Sequence, residues 1–559
     1  MAIEPNTTIK VYHNVPLDVN QDRSIAWANI GEQNAYFHSN NAGILTQTFA
    51  NSTYQRVRKG VMRIEATADD LYDSNYLAFQ NTNYGNKWFY AFITSVEYVN
   101  DITSEITFEI DDLQTWYFDM VLQPSMIERA HTPTDVIGEH IEPEPVVLGE
   151  YVYNNKSVEG EVIESYKPVL DYSELCVVVA TVDTNTHIIG GKIYDGVYGG
   201  ATLKAFNLTD YASINSYLET WLVIPDSVLA IYMIPTNLIN YPIIQGGTVL
   251  ENGYTVTPRT AQWHPIDATY DLDGYHPKNN KMYTYPYNFI QVDNANGGLL
   301  KLRYEFFTNL TPCFELRGTV TNPVELVLRP YNYRNCTYGG TTITDHKALN
   351  TETLSINMFP MCSWSYDGFQ AWMVNTGIPY GLNVVGSLVD SGLLNAAAVG
   401  IGNGVMSVEQ TSVNGQSLGG AAEVPKANMP GGLATGFLNT YYSALTVGQQ
   451  DIIKGNYSCG GVNCASGKQQ FYGGRVSVTK QYAEMIDNYF SLYGYSLMKV
   501  QVPNLRARPH WTYVKTRGCN LKGSLPAISK QNIKNIFNSG ITFWKVPSEV
   551  GDYTLDNHA

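Results

Sequence analysis

The sequence predicts a mainly β chain of several domains with few short helices, and three observations carry that expectation. Apolar and polar residues alternate at period two in successive runs, whereas helical periodicity is confined to three short stretches. The length of 559 residues exceeds what one hydrophobic core sustains, at roughly 150 residues per domain. With 44% hydrophobic residues the chain can bury large cores. Only 15% are charged, against a usual ~25%, and Tyr contributes 41 residues. A surface built on uncharged polar groups and Tyr suits extended contact with other subunits.

The elements follow in chain order. Lys87 to Tyr98 places Trp88, Tyr90 and Phe92 at period two. Ile102 to Asp111 alternates Ile102, Ser104, Ile106, Phe108 and Ile110 with Thr103, Glu105, Thr107 and Glu109. Joined through Asn100-Asp101, the two runs predict a hairpin with one wet face. Further strands are expected in Leu175 to Val182, Val228 to Ile234, Gly298 to Phe307 and Val324 to Arg329. Tyr482, Met485, Ile486, Tyr489, Phe490 and Tyr493 form a helical stripe stopped by Gly494, the spacing expected of an amphipathic helix. Tyr211, Ile214, Leu218 and Trp221 predict a second helix behind Thr209 as N-cap, and Lys534 to Phe537 a third before Gly540. Glu142-Pro-Glu-Pro145 reads as a linker closing a first region.

A net charge of −16 argues against a chain that grips nucleic acid by neutralising phosphates. The seven cysteines, Cys176, Cys313, Cys336, Cys362, Cys459, Cys464 and Cys519, are odd in number and thinly spread, so mostly reduced thiols are expected. The start Met1-Ala-Ile-Glu-Pro5 has neither the basic residues nor the apolar run of a signal peptide. Folding in a cytoplasm is therefore expected, with no glycan on Asn51-Ser-Thr53.

One segment departs from the pattern. Gly381 to Gly436 contains no Phe, Trp or Tyr in a chain that is 12% aromatic, and only Asp390, Glu409, Glu423 and Lys426 are charged. Val384, Val385, Leu388, Val389, Leu393 and Leu394 supply apolar bulk, continued by Val399, Ile401, Val405 and Met406. Val385, Leu388, Val389, Leu393, Ala396 and Ala397 share one helical stripe, and Gly392, Ala396, Gly400 and Gly404 recur every four residues. Such a ladder of small residues lets backbones approach closely inside a membrane. Trp364, Trp372 and Tyr380 before the segment, with Phe437, Tyr441 and Tyr442 after it, suit a bilayer interface. A Gly-rich surface loop is the alternative, but a solvated linker does not need this apolar content.

Other constellations carry less. Glu105, Glu109, Asp111 and Asp112 form an acidic cluster, in which the strand period explains Glu105 and Glu109 as a solvent face rather than as acid/base machinery. Asp293-Asn-Ala-Asn-Gly-Gly298 fits a turn better than a calcium loop. Cys459 and Cys464 have no second ligand pair at zinc spacing. No catalytic residue, metal or cofactor is expected. A glycan or peptidoglycan hydrolase, whose paired carboxylates carry no short signature, is the enzyme alternative, with receptor binding as another.

Three stretches resemble the tail-knob proteins of small short-tailed podoviruses of the phi-twenty-nine type. They are Ile106-Thr-Phe-Glu-Ile-Asp-Asp-Leu-Gln-Thr-Trp116 through Phe118 to Glu128-Arg-Ala-His131; Pro277-Lys-Asn-Asn-Lys-Met-Tyr-Thr-Tyr-Pro-Tyr-Asn-Phe289; and Tyr489 to Tyr495 with Val502-Pro-Asn-Leu-Arg506, Trp511-Thr-Tyr-Val-Lys-Thr516, Ile536-Phe and Gly540-Ile-Thr542. The resemblance implies a ring-shaped homo-oligomer, a hexamer, forming a tube at the distal tail tip of the virion. It also implies a long apolar loop that plugs the tube and then penetrates the host cytoplasmic membrane. A lower collar or tail tube protein would be the partner above, and viral DNA would pass the lumen without tight binding. The implied organisation is a β-rich tube-forming domain at 1–145, middle β-rich domains at 146–376, the apolar loop at 377–437 and an α+β region at 438–559. The shared motifs themselves are expected to fix packing.

Overall fold

The structure is a computed structural model that describes residues 6–363, 456–458 and 469–559, except 40–42, 53–59, 83–84, 159–160, 164–165, 170–173, 183–192, 195–196, 199–200, 222–227, 240–241, 251–258, 263–267, 321–323, 332, 335, 339–340, 344–351 and 358. The apolar segment, with every residue from Val384 to Met406 singled out above, lies outside the described residues, as do Cys459 and Cys464. The fold is mainly β and falls into two units, each assembled from separated stretches of chain. One comprises residues 1–150, 271–287 and 478–559; the other comprises 151–270 and 288–477.

The first unit contains an antiparallel sheet ordered Leu45–Ser52, Thr7–His13, Ser74–Asn81, Trp88–Asn100, Thr103–Ile110, Val61–Ile64. Period two sorts its side chains. Val11, Leu77, Ala91 and Ile106 fill one face. Tyr12, Tyr76, Tyr90 and Phe92 fill the other, under Phe37 of the helix Ile30–His38. The expected hairpin is present, with Asn100 opposite Thr103, and the side chains of Thr103–Ile110 alternate as the sequence requires. A second sheet runs Arg23–Ile25, Ile541–Trp544, Trp511–Arg517, Ser125–Ala130, Tyr495–Gln501. Its central strands come from opposite ends of the chain. The helices Lys480–Tyr493 and Ala527–Ser539 bury Ile486, Phe490, Ile533 and Phe537 in the core on that sheet.

The second unit has three larger sheets. Leu175–Thr181 and Val228–Pro235 are central in a six-stranded sheet whose far edge is Met361–Ser363 paired with Asn456–Ser458. Val177 and Val179 face Ile214 and Leu218 of the helix Tyr211–Trp221, while Val178 and Ala180 enter the main core. Asn288–Asp293 and Leu299–Leu302 form a hairpin beside Tyr472–Val478, and Cys313–Gly318 pairs with Leu326–Pro330. Asp293 Oδ1 and Asn294 Oδ1 accept the N–H groups of Ala295, Asn296 and Gly298, so the Asn-rich stretch is a turn. Cys176, Cys313, Cys362 and Cys519 are free thiols.

Three local expectations need correction. The strand from Gly298 ends at Leu302, where a 3-10 turn, Tyr304–Phe306, takes over. The helix Tyr211–Trp221 is capped by Asp210, not Thr209, because Ile214 N–H already bonds the Asp210 carbonyl and Ser213 hydrogen-bonds its carboxylate. In the helix Lys480–Tyr493 the buried face is Ala483, Ile486, Asp487 and Phe490, with Met485 55% exposed. The helix is rotated because the Asp487 carboxylate is needed inside.

Gly494 ends that helix at φ +65°, and a Cβ there would sit 2.4 Å from the Ala130 carbonyl and the His131 nitrogen. Both the left-handed backbone and the close approach exclude a side chain. Gly494→Ala is expected to lower stability by about 3 kcal/mol, read from the midpoint of urea unfolding.

Candidate functional site

The three motif stretches meet in the first unit around one buried carboxylate. The Pro-rich segment runs along the surface, yet the Glu144 side chain is 0% exposed. It takes Arg129, from the strand Ser125–Ala130, on Oε2, and Lys281, from the 3-10 turn Asn280–Tyr283, on Oε1. Ser496 N–H donates to the same Oε1 at 2.8 Å. Arg129 also donates to the Gly494 carbonyl at 2.6 Å and lies 4.6 Å over the Tyr489 ring. Lys281 additionally donates to the Glu142 carbonyl and faces the Tyr495 ring at 5.3 Å. Burial, then repulsion from Arg129, pushes the Lys281 ammonium down to about 7.

A second buried acid stands beside it. Asp487 receives Tyr275 O–H and Lys278 N–H on Oδ2, and Asn279 N–H and Nδ2 on Oδ1, at 2.7–3.0 Å. These four donors replace water around the carboxyl group inside the core. Asp135 does the same work nearby, accepting Tyr495 O–H at 2.7 Å and Asn280 N–H at 2.9 Å. His131 accepts Tyr513 N–H on Nδ1 and meets the Ser491 carbonyl through Nε2, which therefore carries the proton. Burial and the Arg508 charge push His131 down to about 3, so it stays neutral.

The acidic cluster of the first stretch is dispersed. Glu105 pairs with Arg63 at 3.1 Å, and Asp112 accepts Asn532 Nδ2 at 2.7 Å. Asp111 caps the short helix Asp112–Thr115 through Gln114 N–H and accepts Tyr76 O–H, both at 3.0 Å. Its burial raises it to about 6, a shift found in catalytic acids. Here both oxygens are spent on the fold. Among the described residues there is no group of three metal-ligating side chains, and no helix is long and apolar enough to cross a membrane.

The arrangement is a staple, and it fails if its anion goes. Glu144→Gln leaves the buried Arg129 guanidinium without a counter-charge and drives Lys281 to shed its proton, and is expected to cost about 3–5 kcal/mol, whereas replacing Arg129, Glu144 and Lys281 together by apolar residues should cost far less. Denaturant midpoints of the two variants compare these directly. Asp111 gives a pH signature. Between 3.8 and about 6 the folded carboxyl keeps a proton that the unfolded chain releases, so its contribution to stability falls as pH rises through that window and is level above it. Asp111→Asn keeps the cap and should remove that slope when unfolding midpoints are followed from pH 4 to 7.

Comparison with known proteins agrees with this architecture. Residues 5–122 match the family model described as caudoviral major tail protein N-terminus. The tail knob protein gp9 of Bacillus phage B103 is 25% identical and that of Bacillus phage phi29 24% identical, each over the full length of both chains. The bacteriophage C1 tail knob protein gp12 superposes with a TM-score of 0.56 at 14% identity, covering 99% of each chain, and so shares the fold. Residues 252–558, more than half of the chain, match the model of the C-terminal domain of the tail knob protein gp9 of Bacillus phage phi29, and the chain belongs to that tail-knob family.

Proposed function

We propose that this tail-knob protein forms the distal conduit for DNA ejection and carries, at residues 383–435, a membrane-active plug. As a member of its family the chain is a structural component of the virion at the phage tail. The finer reading is a hexameric ring whose apolar segments close the tube before infection and enter the host cytoplasmic membrane to open a path for the genome. A lower collar protein docks above, and no enzymatic step is required of this chain.

One observation carries the plug reading. Ser363 and Asn456 are register partners on neighbouring antiparallel strands, Met361–Ser363 and Asn456–Ser458. The intervening 364–455 therefore leave and return at one place on the sheet. A segment tethered in this way can be displaced without unpairing the strands that hold it. Composition supplies the rest. Six copies at a ring mouth share a high effective concentration, which compensates for the small apolar area of each. Asp390 and Glu409 flank the uncharged run and are costly at bilayer centre, so insertion is expected to be favoured at mildly acidic pH. The net charge of −16 per chain supports a lumen that repels DNA or leaves it free to slide.

Dye release from liposomes tests the reading. Wild-type protein should release dye, more so at pH 5.5 than at 7.5. A deletion of 383–435 closed by a short Gly/Ser bridge should assemble but release little, and Leu393→Asp should be weakened. A deletion variant that assembles and releases dye as fully as wild type would show the segment to be a linker. Incubation with purified cell walls should liberate no reducing sugar or new amine ends, the outcome that separates this reading from a hydrolase.

A further inference from the structure

Among the described residues three arginines are buried with their charge, and two of them are satisfied. Arg475 is 0% exposed, and it donates through Nε to Asn288 Oδ1 at 2.7 Å and through Nη2 to the Ala268 and Tyr270 carbonyls at 3.2 and 2.7 Å. Arg129 has Glu144, the Gly494 carbonyl and the Tyr489 ring. Arg508 is different. It is 2% exposed, its Nε lacks any hydrogen-bond partner, and among the described residues no carboxylate forms an ion pair with its guanidinium. Its backbone N–H is held by Thr512 Oγ1 at 3.2 Å, which fixes the residue while leaving the charge unanswered.

The neighbouring acids are engaged by other donors and form no ion pair with Arg508. His131, within electrostatic reach of Arg508, has both ring nitrogens committed to the backbone and is neutral. Tyr495, also within reach, donates its hydroxyl to Asp135, whose two oxygens are taken by Tyr495 and Asn280. Glu549, two strands along, pairs with His510 at 2.8 Å. A guanidinium cannot shed its proton, and an unpaired buried charge costs several kcal/mol. His131 also lines a pocket of about 170 Å³ whose walls include Thr132, Thr134, His140, Lys499 and Asn504. Lys499 and Glu139 both line that pocket, so its walls carry one base and one acid.

We propose that Arg508 is the centre of an anion site, filled in the assembled protein by a small oxyanion of the phosphate or sulfate type. The ion would supply the missing counter-charge, so that this part of the first unit reaches full stability only with it bound.

Thermal unfolding of the full-length protein in inorganic phosphate, against chloride at matched ionic strength, tests this. Wild type should show a saturable rise in unfolding temperature, roughly 5 °C at a hundredfold excess over the dissociation constant. Arg508→Met should lose that saturable response, keep only the linear effect common to salting-out ions, and unfold in chloride no lower than wild type, since it removes an unpaired charge. Arg508→Lys should retain a weaker response. The proposal is overturned if Arg508→Met responds to phosphate as wild type does. It is equally overturned if Arg508→Met fails to fold while Arg508→Lys folds, because the charge would then have a partner within the chain.

Discussion

The first unit depends on the desolvation of Glu144. A carboxylate that is 0% exposed is tolerable only with cations against it, and those cations come from residues 129 and 281, with a further donor from residue 496. Arg129 and Lys281 share this one carboxylate as counter-charge, and Ser496 N–H adds a neutral donor. The staple therefore ties together stretches of this unit that are far apart in the chain. It explains why the chain returns for residues 271–287: that passage delivers Lys281 to Glu144, and Lys278 and Asn279 to Asp487.

The same constraint accounts for what could and could not be read from the sequence. The hairpin around Asn100 and Asp101, the strand at Leu175 and the helices ending at Gly494 and Gly540 were legible because period and stop signals are local. The burial of Glu144 was not, since its partners stand 15, 137 and 352 positions away, and Pro-Glu-Pro alone reads as surface. Asp487 was concealed in the same way: the stripe Tyr482 to Tyr493 accounts for the helix without it, and only the donors at Lys278 and Asn279 reveal why that face turns inward. Gly298 to Phe307 failed for a different reason, as a 3-10 turn at Tyr304–Phe306 leaves no clear mark in an apolar run. The motifs at 128–131, 277–289 and 489–516 were legible as a group by resemblance, and the structure gives their common physical content, which is one buried network.

That network also bears on the choice between scaffold and enzyme. A catalytic acid needs an oxygen free to meet a substrate. Asp111, Asp135, Asp487 and Glu144 each have their oxygens engaged by groups of the fold. These carboxyls therefore mark places where separated segments of the chain are locked together.

The proposed conduit and the proposed plug make opposite demands on one chain, and the pairing of Ser363 with Asn456 is compatible with both. Closing a loop costs free energy that grows only with the logarithm of its length, so 92 residues (364–455) cost about 2 kcal/mol more than 12 would. The strands Met361–Ser363 and Asn456–Ser458 pair at the base of the excursion, in a sheet whose described core includes Val178, Ala230, Tyr232 and Ile234. In the proposed reading, a plug tethered at this point moves without unpairing the two strands at its base.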